Sequence, residues 1–294
     1  MAEYYGRLFE IQLGKDLKPF IEATGGRQFR VVFNALLDWR GYQSLLDLSI
    51  YNLSRETEAK IRETYKQIAI KAGYENRVDY LFKGGISNIL RERSGPDRIT
   101  RIYARGGALE LDKSTITRTL GEGSTLVEVI KACASAMGLP AIISSNELNG
   151  VTYSGGYAMH GDPKKILSSL AKTHSFNWLI ENGRLVVADK HSKRPGQIHR
   201  ISALTGMEGS PEIAGGGPYE VDVKVTTRLN PKIKIGQLFK INSEYPRANF
   251  SGVYFNGIPE TIGKGTYRAE RIEHTGDSHG DAWSTKLTGL KLNE

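Results

Sequence analysis

Residues 219–229, YEVDVKVTTRL, alternate strictly. Val221, Val223 and Val225 fall on one side, and Asp222, Lys224 and Thr226 on the other. A period of two is the side-chain period of a strand, so this stretch reads as a strand with one face on a core. The rest of residues 200–294 keeps the pattern. GSPEIAGGG is a Gly-rich connection, NPKIKIGQLFKINS a turn and a strand, and TYRAERIEHTGDSHGDAWSTKLTGL a last strand–turn–strand.

The opening third reads in the same way. RLFEIQL, FRVVFNAL and LLDLSIYNL carry β-branched and aromatic residues in partial alternation. SRETEAKIRETYKQ interrupts them as one short helix, with Ser54 as N-cap and Ala59, Ile61 and Tyr65 as its apolar side. IAIKAGY, VDYLFKGGISNILRERS and DRITRIYARGG return to strand, the last two joined by a turn at SGPD, residues 94–97. The 33 glycines and 14 tyrosines suit β structure with many tight turns.

Residues 109–190 change period. Apolar side chains at 126, 127, 129, 130, 133, 134 and 137 have helical spacing, capped by Ser124 or Thr125 and stopped by Gly138 and Pro140. A second helix follows, with Asp162 as cap, Pro163 at its first position and Ile166, Leu167 and Leu170 facing inward. FNWLIENGRLVVAD then places Asn182-Gly183 between two apolar runs, a strong hairpin signal. HSKRPGQIH, residues 191–199, reads as a linker. The expected organisation is a β domain over 1–108, a small α/β insert over 109–190 and a second β domain over 191–294, in a chain of 294 residues that is long enough for two or three domains. The two β segments echo each other. Each has an F-x-G stretch (Phe82, Phe255), then a strand, a Gly/Asp-rich turn and an alternating strand.

Chemical motifs are sparse. HTGDSHGDAW, residues 274–283, sets His274, Asp277, His279 and Asp281 close together. A zinc site needs three or four convergent ligands, and this stretch offers two good ones. The same residue types serve hairpin turns through local side-chain bonds. LGEGST (120–125) and GGGP (215–218) match neither a P-loop nor a dinucleotide fingerprint. LGEGST precedes a helix whose N-terminus can attract an anion, but a loop followed by a cap is much the stronger reading. Glu56 and Glu58 sit on a solvated helix face, Asp38 ends a strand beside Trp39, and His160, His174 and His199 stand alone. No paired carboxylates, G-x-S-x-G or H-E-x-x-H occur. Trp39, Trp178 and Trp283 lie in separate segments, so no stacking platform for single strands forms. The net charge of +8 is spread without a Lys/Arg block. Cys133 is alone and reads as a buried structural thiol, which fits a reducing compartment. The N-terminus has no apolar signal core and no run of 18 apolar residues occurs, so assembly in a cytoplasm without stable membrane insertion is expected.

RISALTGMEGSPEI, followed by a strand and by RLNPKIKIGQLFKI, resembles the baseplate hubs of contractile-tailed phages, the tube-to-spike adaptors with relatives in tailocins and type VI secretion. TYRAERIEHTGDSHGDAWSTKLTG resembles their final hairpin, FKGGISNILRERSGPDRITRIYARGG their first β domain, and GDPKKILSSLAKTHSFNWLIENGRLVVAD their inserted domain. The resemblance implies an α+β, mostly β fold in which two tube-like antiparallel β-barrel domains flank the α/β domain. It implies a homotrimer whose pseudo-sixfold ring joins the tail tube, or a tube-initiator protein, to a spike. Other baseplate proteins and transient, non-specific DNA in the channel complete the partners, and the virion tail baseplate is the location. It also makes Leu204, Gly206, Met207, Gly209, Ser210, Pro211 and Glu212 the expected subunit or partner interface. No lysozyme segment, catalytic residue, cofactor or metal is expected. The competing readings are a metal-dependent envelope hydrolase using His274, Asp277 and His279, and a partner-binding module in 109–190.

Overall fold

The computed structural model describes residues 6–22, 29–39, 43–75, 77–145, 147–189, 193–217, 220–249 and 263–291. The fold is mostly β, with α-helices added, as the strand and helix periods predict. Phe255 of the second F-x-G lies outside the described residues.

The first segment supplies β1 (Arg7–Leu13), β2 (Lys18–Glu22), β3 (Val31–Asp38), β4 (Leu45–Tyr51), α1 (Arg55–Thr64), β5 (Gln67–Tyr74), β6 (Asp79–Ser94) and β7 (Asp97–Arg105). β3 alternates buried and half-buried residues without a break, so one face meets a core and the other does not. Ser54 caps α1 by accepting the Thr57 N–H, and Ile61 is fully buried. Glu58 corrects the expectation of a solvated face: it is only 7% exposed and pairs with Arg91 of β6 and Arg62. A carboxylate at that depth persists because cations meet it there.

The middle segment opens on a short helix, α2 (Ala108–Lys113), that six residues were too few to announce by period. β8 (Ile116–Leu120), β9 (Ser124–Thr125), α3 (Leu126–Ala136), β10 (Ala141–Ser144), β11 (Thr152–Tyr153), β12 (Tyr157–Gly161), α4 (Pro163–Thr173), β13 (Phe176–Glu181) and β14 (Arg184–Asp189) follow. Thr125 and Glu128 form a capping box on α3, and the Glu128 carboxylate accepts the Thr125 N–H at 2.7 Å. The bonds from Thr125 hold the Glu128 carboxyl below its usual range. The helix N-terminus at LGEGST is therefore already served by this chain's own carboxylate. Asp162 caps α4 with Pro163 at the first position. Asn182 and Gly183 both have positive φ, 50° and 77°, as a two-residue hairpin turn requires.

The sheet β10–β14–β13 explains why its strands read as unbroken apolar runs. Phe176, Trp178, Ile180, Leu185 and Val187 face α3 and α4 in one core. Leu179, Val186 and Ala188 face the other way, into the core of the third segment. Cys133 lies fully buried among the first group, and burial pushes its thiol up to about 11. Native protein is expected to leave Cys133 unalkylated at pH 8, with full reaction only in denaturant. Rapid native labelling, followed by mass spectrometry, would contradict this packing.

The third segment supplies β15 (His199–Ser202), β16 (Met207–Gly217), β17 (Glu220–Arg228), β18 (Leu238–Asn242), β19 (Arg247–Asn249), β20 (Lys264–Asp277) and β21 (Trp283–Lys291). It joins the first segment in a single 14-stranded sheet that runs β19–β16–β17–β21–β20–β3–β4–β7–β6–β5–β1–β2, with β18 bridging β20 and β15.

The echo in sequence becomes a shared strand order. β3–β4–β7–β6–β5 and β16–β17–β21–β20–β18 each arrange their strands first, second, fifth, fourth, third. Each long hairpin is broken by one bulge at the same place. β6 slips between Ile86 and Asn88 opposite Ala104 and Tyr103, and β20 slips between Ala269 and Arg271 opposite Gly289 and Thr288.

Candidate assembly surface

The segment HTGDSHGDAW is the tip of the β20–β21 hairpin, and it reaches out of its own segment. Residues 271–277 of β20 pair antiparallel with β3, from Arg271 opposite Asp38 to Asp277 opposite Val32. Trp283 is buried in the core of the first segment and donates its indole N–H to Gly73 O at 3.2 Å. Phe33 meets its ring edge-on at 5.5 Å, and the Arg7 guanidinium lies 5.6 Å from the ring centre. Arg7 also donates to Gly280 O at 2.7 Å. The strand path from β20 through β3 to β1 thus curls back onto the same hairpin tip. Gly276 is required there, because a Cβ would collide with the Phe33 ring. The exchange is mutual. Leu37 and Trp39 of the first segment lie in the third segment's core, and Leu229 and Trp283 lie in the first's.

The four acid and imidazole side chains of this tip do not converge. His274 is 3% exposed, with Nδ1 at 2.8 Å from Thr285 Oγ1. Thr285 Oγ1 also accepts the Asn230 N–H, so one buried hydroxyl serves both the imidazole and this backbone amide. Burial drives the His274 pKa down to about 3, with the Lys234 charge adding to the effect. Asp277 faces Arg30 at 2.7 Å and accepts the His279 N–H at 2.9 Å. His279 is exposed and meets Ser278 Oγ at 2.9 Å. Among the described residues, no group of three His, Cys, Asp or Glu stands where it could hold a metal ion. The other described histidines have polar neighbours of their own: His160 meets Thr117, His174 meets Tyr153, and His199 meets Gln237.

The junction makes one continuous surface across the two β segments. One row runs Arg228, Ser284, Thr275, Asn34, Asp47, Tyr103, Asn88, and a parallel row runs Thr226, Lys286, Glu273, Leu36, Leu45, Arg105. Its polar side chains are tied to one another. Asn34 donates to Glu273 at 2.7 Å, Arg101 forks onto Asp47 at 2.6 and 2.9 Å, Arg271 approaches Asp38 at 3.4 Å, and Thr275 meets Ser284 at 3.1 Å. The face carries both signs of charge, with cations largely matched to carboxylates.

The expected interface residues lie at the far end of this sheet. Leu204 sits on a 3₁₀ turn and is 97% exposed. Gly206 turns the chain with φ 96° into β16, where Met207 packs partly against the third core. Gly209, Ser210 and Pro211 form an irregularity between Glu208 and Glu212, and Pro211 is buried. Glu212 pairs with Lys224 on one side and with Arg247 of β19 on the other. A second free edge escaped the sequence reading. From Asn88 on, β6 has β7 as its one strand partner among the described residues, and residues 87–94 are exposed except Ile89. The available signal was the length of VDYLFKGGISNILRERS, whose second half lacks an apolar partner pattern.

The family model Baseplate hub gp41 matches residues 40–251. No curated protein matches the chain significantly by sequence. Solved structures share the fold. A 43 kDa tail protein of prophage MuSo2 from Shewanella oneidensis aligns with a TM-score of 0.61 at 10% identity, covering 98% of this chain and 99% of its own. A tail protein from Neisseria meningitidis MC58 gives 0.61 at 13% identity, over 98% and 97%. An E. coli protein described as a type VI secretion component with structural similarity to the T4 tail proteins gp27 and gp5 gives 0.56 at 8% identity, over 97% and 77%.

Proposed function

Because the chain belongs to the baseplate hub gp41 family, a structural component of the phage tail baseplate, we propose that three copies of it close into a pseudo-sixfold ring between the tail tube and the spike. The observation that carries this reading is the duplicated strand order, with the hairpin tip of one copy laced into the first strand of the other. A chain that already contains two equivalent, laterally joined units makes a six-unit ring from three subunits. In this ring, segments 1–108 and 191–294 act as the tube-like units and 109–190 as the insert.

The half-exposed polar face lines the channel in this proposal. DNA passing through it needs contacts that are weak and unselective. Arg101 and Arg271 are matched by Asp47 and Asp38, which limits the phosphate attraction that free cations would exert. The chain's role is structural rather than enzymatic, and its partners are the spike, the tube or tube initiator, and other baseplate proteins.

Light scattering over a range of concentrations tests the reading. A species near three times 32.6 kDa is the expected result. A mass that stays at 32.6 kDa well above micromolar concentration would sink it.

A further inference from the structure

We propose that residues 88–94 of β6 add antiparallel to the leading edge of β16 in a second copy of this chain, repeating between chains the junction that β20 and β3 make within one. The inference rests on the ring reading and names the surface that would build it. The equivalence of the two units fixes the partners. Counting from the shared bulge, Asn88 takes the place of Arg271 and Ser94 that of Asp277. Through the neighbouring strands, Met207 and Glu208 of β16 take the places of Val31 and Val32 of β3.

The two halves differ in what covers them. Residues 271–277 are paired to β3, and His274 and Asp277 are 3% and 8% exposed. Residues 88–94 present an open strand edge, with Leu90 40% exposed. Such an edge is a template for another strand. At the other end of the sheet, Met207 and Glu208 pair only with β17 among the described residues, and β19 holds Glu212 to Ala214 by three parallel pairs. The hairpin meets β16 before that short ladder and must displace it to extend further. Charge is mixed at this match: Arg93 lies on the tip near Glu208, whereas Arg91 is already paired with Glu58 and Glu92 falls opposite Glu212, so the pairing rests on the equivalence of the strands rather than on charge. A head-to-tail contact of this kind joins different patches on the two copies, and it closes when three copies complete the turn.

The register of Asp277 opposite Val32 puts Ser94 opposite Glu208. Directly opposed residues carry Cα atoms about 4.5–5.5 Å apart, within the Cα range of a disulfide. Seven strand steps separate β6 from β16 within one chain's sheet, and a disulfide closed inside one chain would run as a monomer, so covalent multimers report links between copies. The test is the full chain carrying Ser94→Cys and Glu208→Cys, mildly oxidised and run on a denaturing gel, with Asn34→Cys/Thr275→Cys as the intrachain control. Both new cysteines lie on exposed residues, and Cys133 is buried. Conversion of most of the chain to covalent multimers, with the control staying monomeric, is the expected result. A trimer by light scattering that does not cross-link overturns the pairing and leaves the ring reading intact. Cross-linked species that never close at three copies uphold the pairing and overturn the ring reading. A monomer that does not cross-link overturns both.

Discussion

Trp283→Ala should cost about 3–5 kcal/mol of stability. The residue is 3% exposed and belongs to a core built almost wholly by another segment. Removing the ring leaves a cavity against Phe33, cuts the bond to Gly73 O and withdraws the surface on which Arg7 lies. Three strands lose a common partner at once: β3 through Phe33, β5 through Gly73 and β1 through Arg7. A loss of this size takes up much of the stability of an ordinary domain. Urea unfolding monitored by far-UV circular dichroism is the measurement. Trp283→Phe should recover much of the loss, because it keeps a ring for Phe33 and gives up the indole N–H. A loss below about 1 kcal/mol for Trp283→Ala would mean that the hairpin tip does not hold the first segment closed.

The same residue shows where sequence reading reaches its limit. Local chemistry was legible. The Thr125–Glu128 box, the Asp162–Pro163 start and the Asn182-Gly183 hairpin each depend on residues within a few positions of one another, and each stands as the pattern predicts. HTGDSHGDAW was legible as a hairpin tip for the same reason. What it touches was not, because β20 pairs with a strand about 240 residues earlier, and alternation in β3 or β20 says which face is apolar without naming the neighbour. Glu58 was read as solvated because its helix is strongly polar, while its burial depends on Arg91 on a distant strand. The F-x-G echo was a match of letters whose second half lies outside the described residues. The equivalence lies in strand order and in the bulge, which put Ile89 and Ile272 in the same position although their flanking residues differ. The interface expected at Leu204, Gly206, Met207, Gly209, Ser210, Pro211 and Glu212 rested on resemblance, because no local pattern in those residues marks a partner surface.

The junction should also fail in acid, and His274 sets the pH range. Its folded pKa is about 3 against 6.5 for the free side chain. As pH falls through 6.5 the unfolded chain takes up a proton that the folded chain refuses until about pH 3. The unfolded state therefore binds more protons throughout that window, and stability falls with decreasing pH by up to ~1.4 kcal/mol per unit for this one group. Asp277 extends the effect to lower pH. Burial pushes its carboxyl up, but the Arg30 bond and charge and the His279 N–H outweigh burial and hold it below 3.8. Its contribution is present above 3.8 and lost as pH drops through the lowered value. His199 is also depressed by burial, so the wild-type slope alone does not identify the residue. The readout is the difference in urea midpoint between pH 7 and pH 5, compared with that of His274→Gln, which keeps a polar partner for Thr285 without a titrating ring. The variant should lose less stability than the wild type over that interval. Equal losses would place the acid sensitivity elsewhere. The expected difference would put the weak point at the strand pair that joins the two β units, with a buried imidazole between β3 and β21 that cannot be charged while the sheet stays whole.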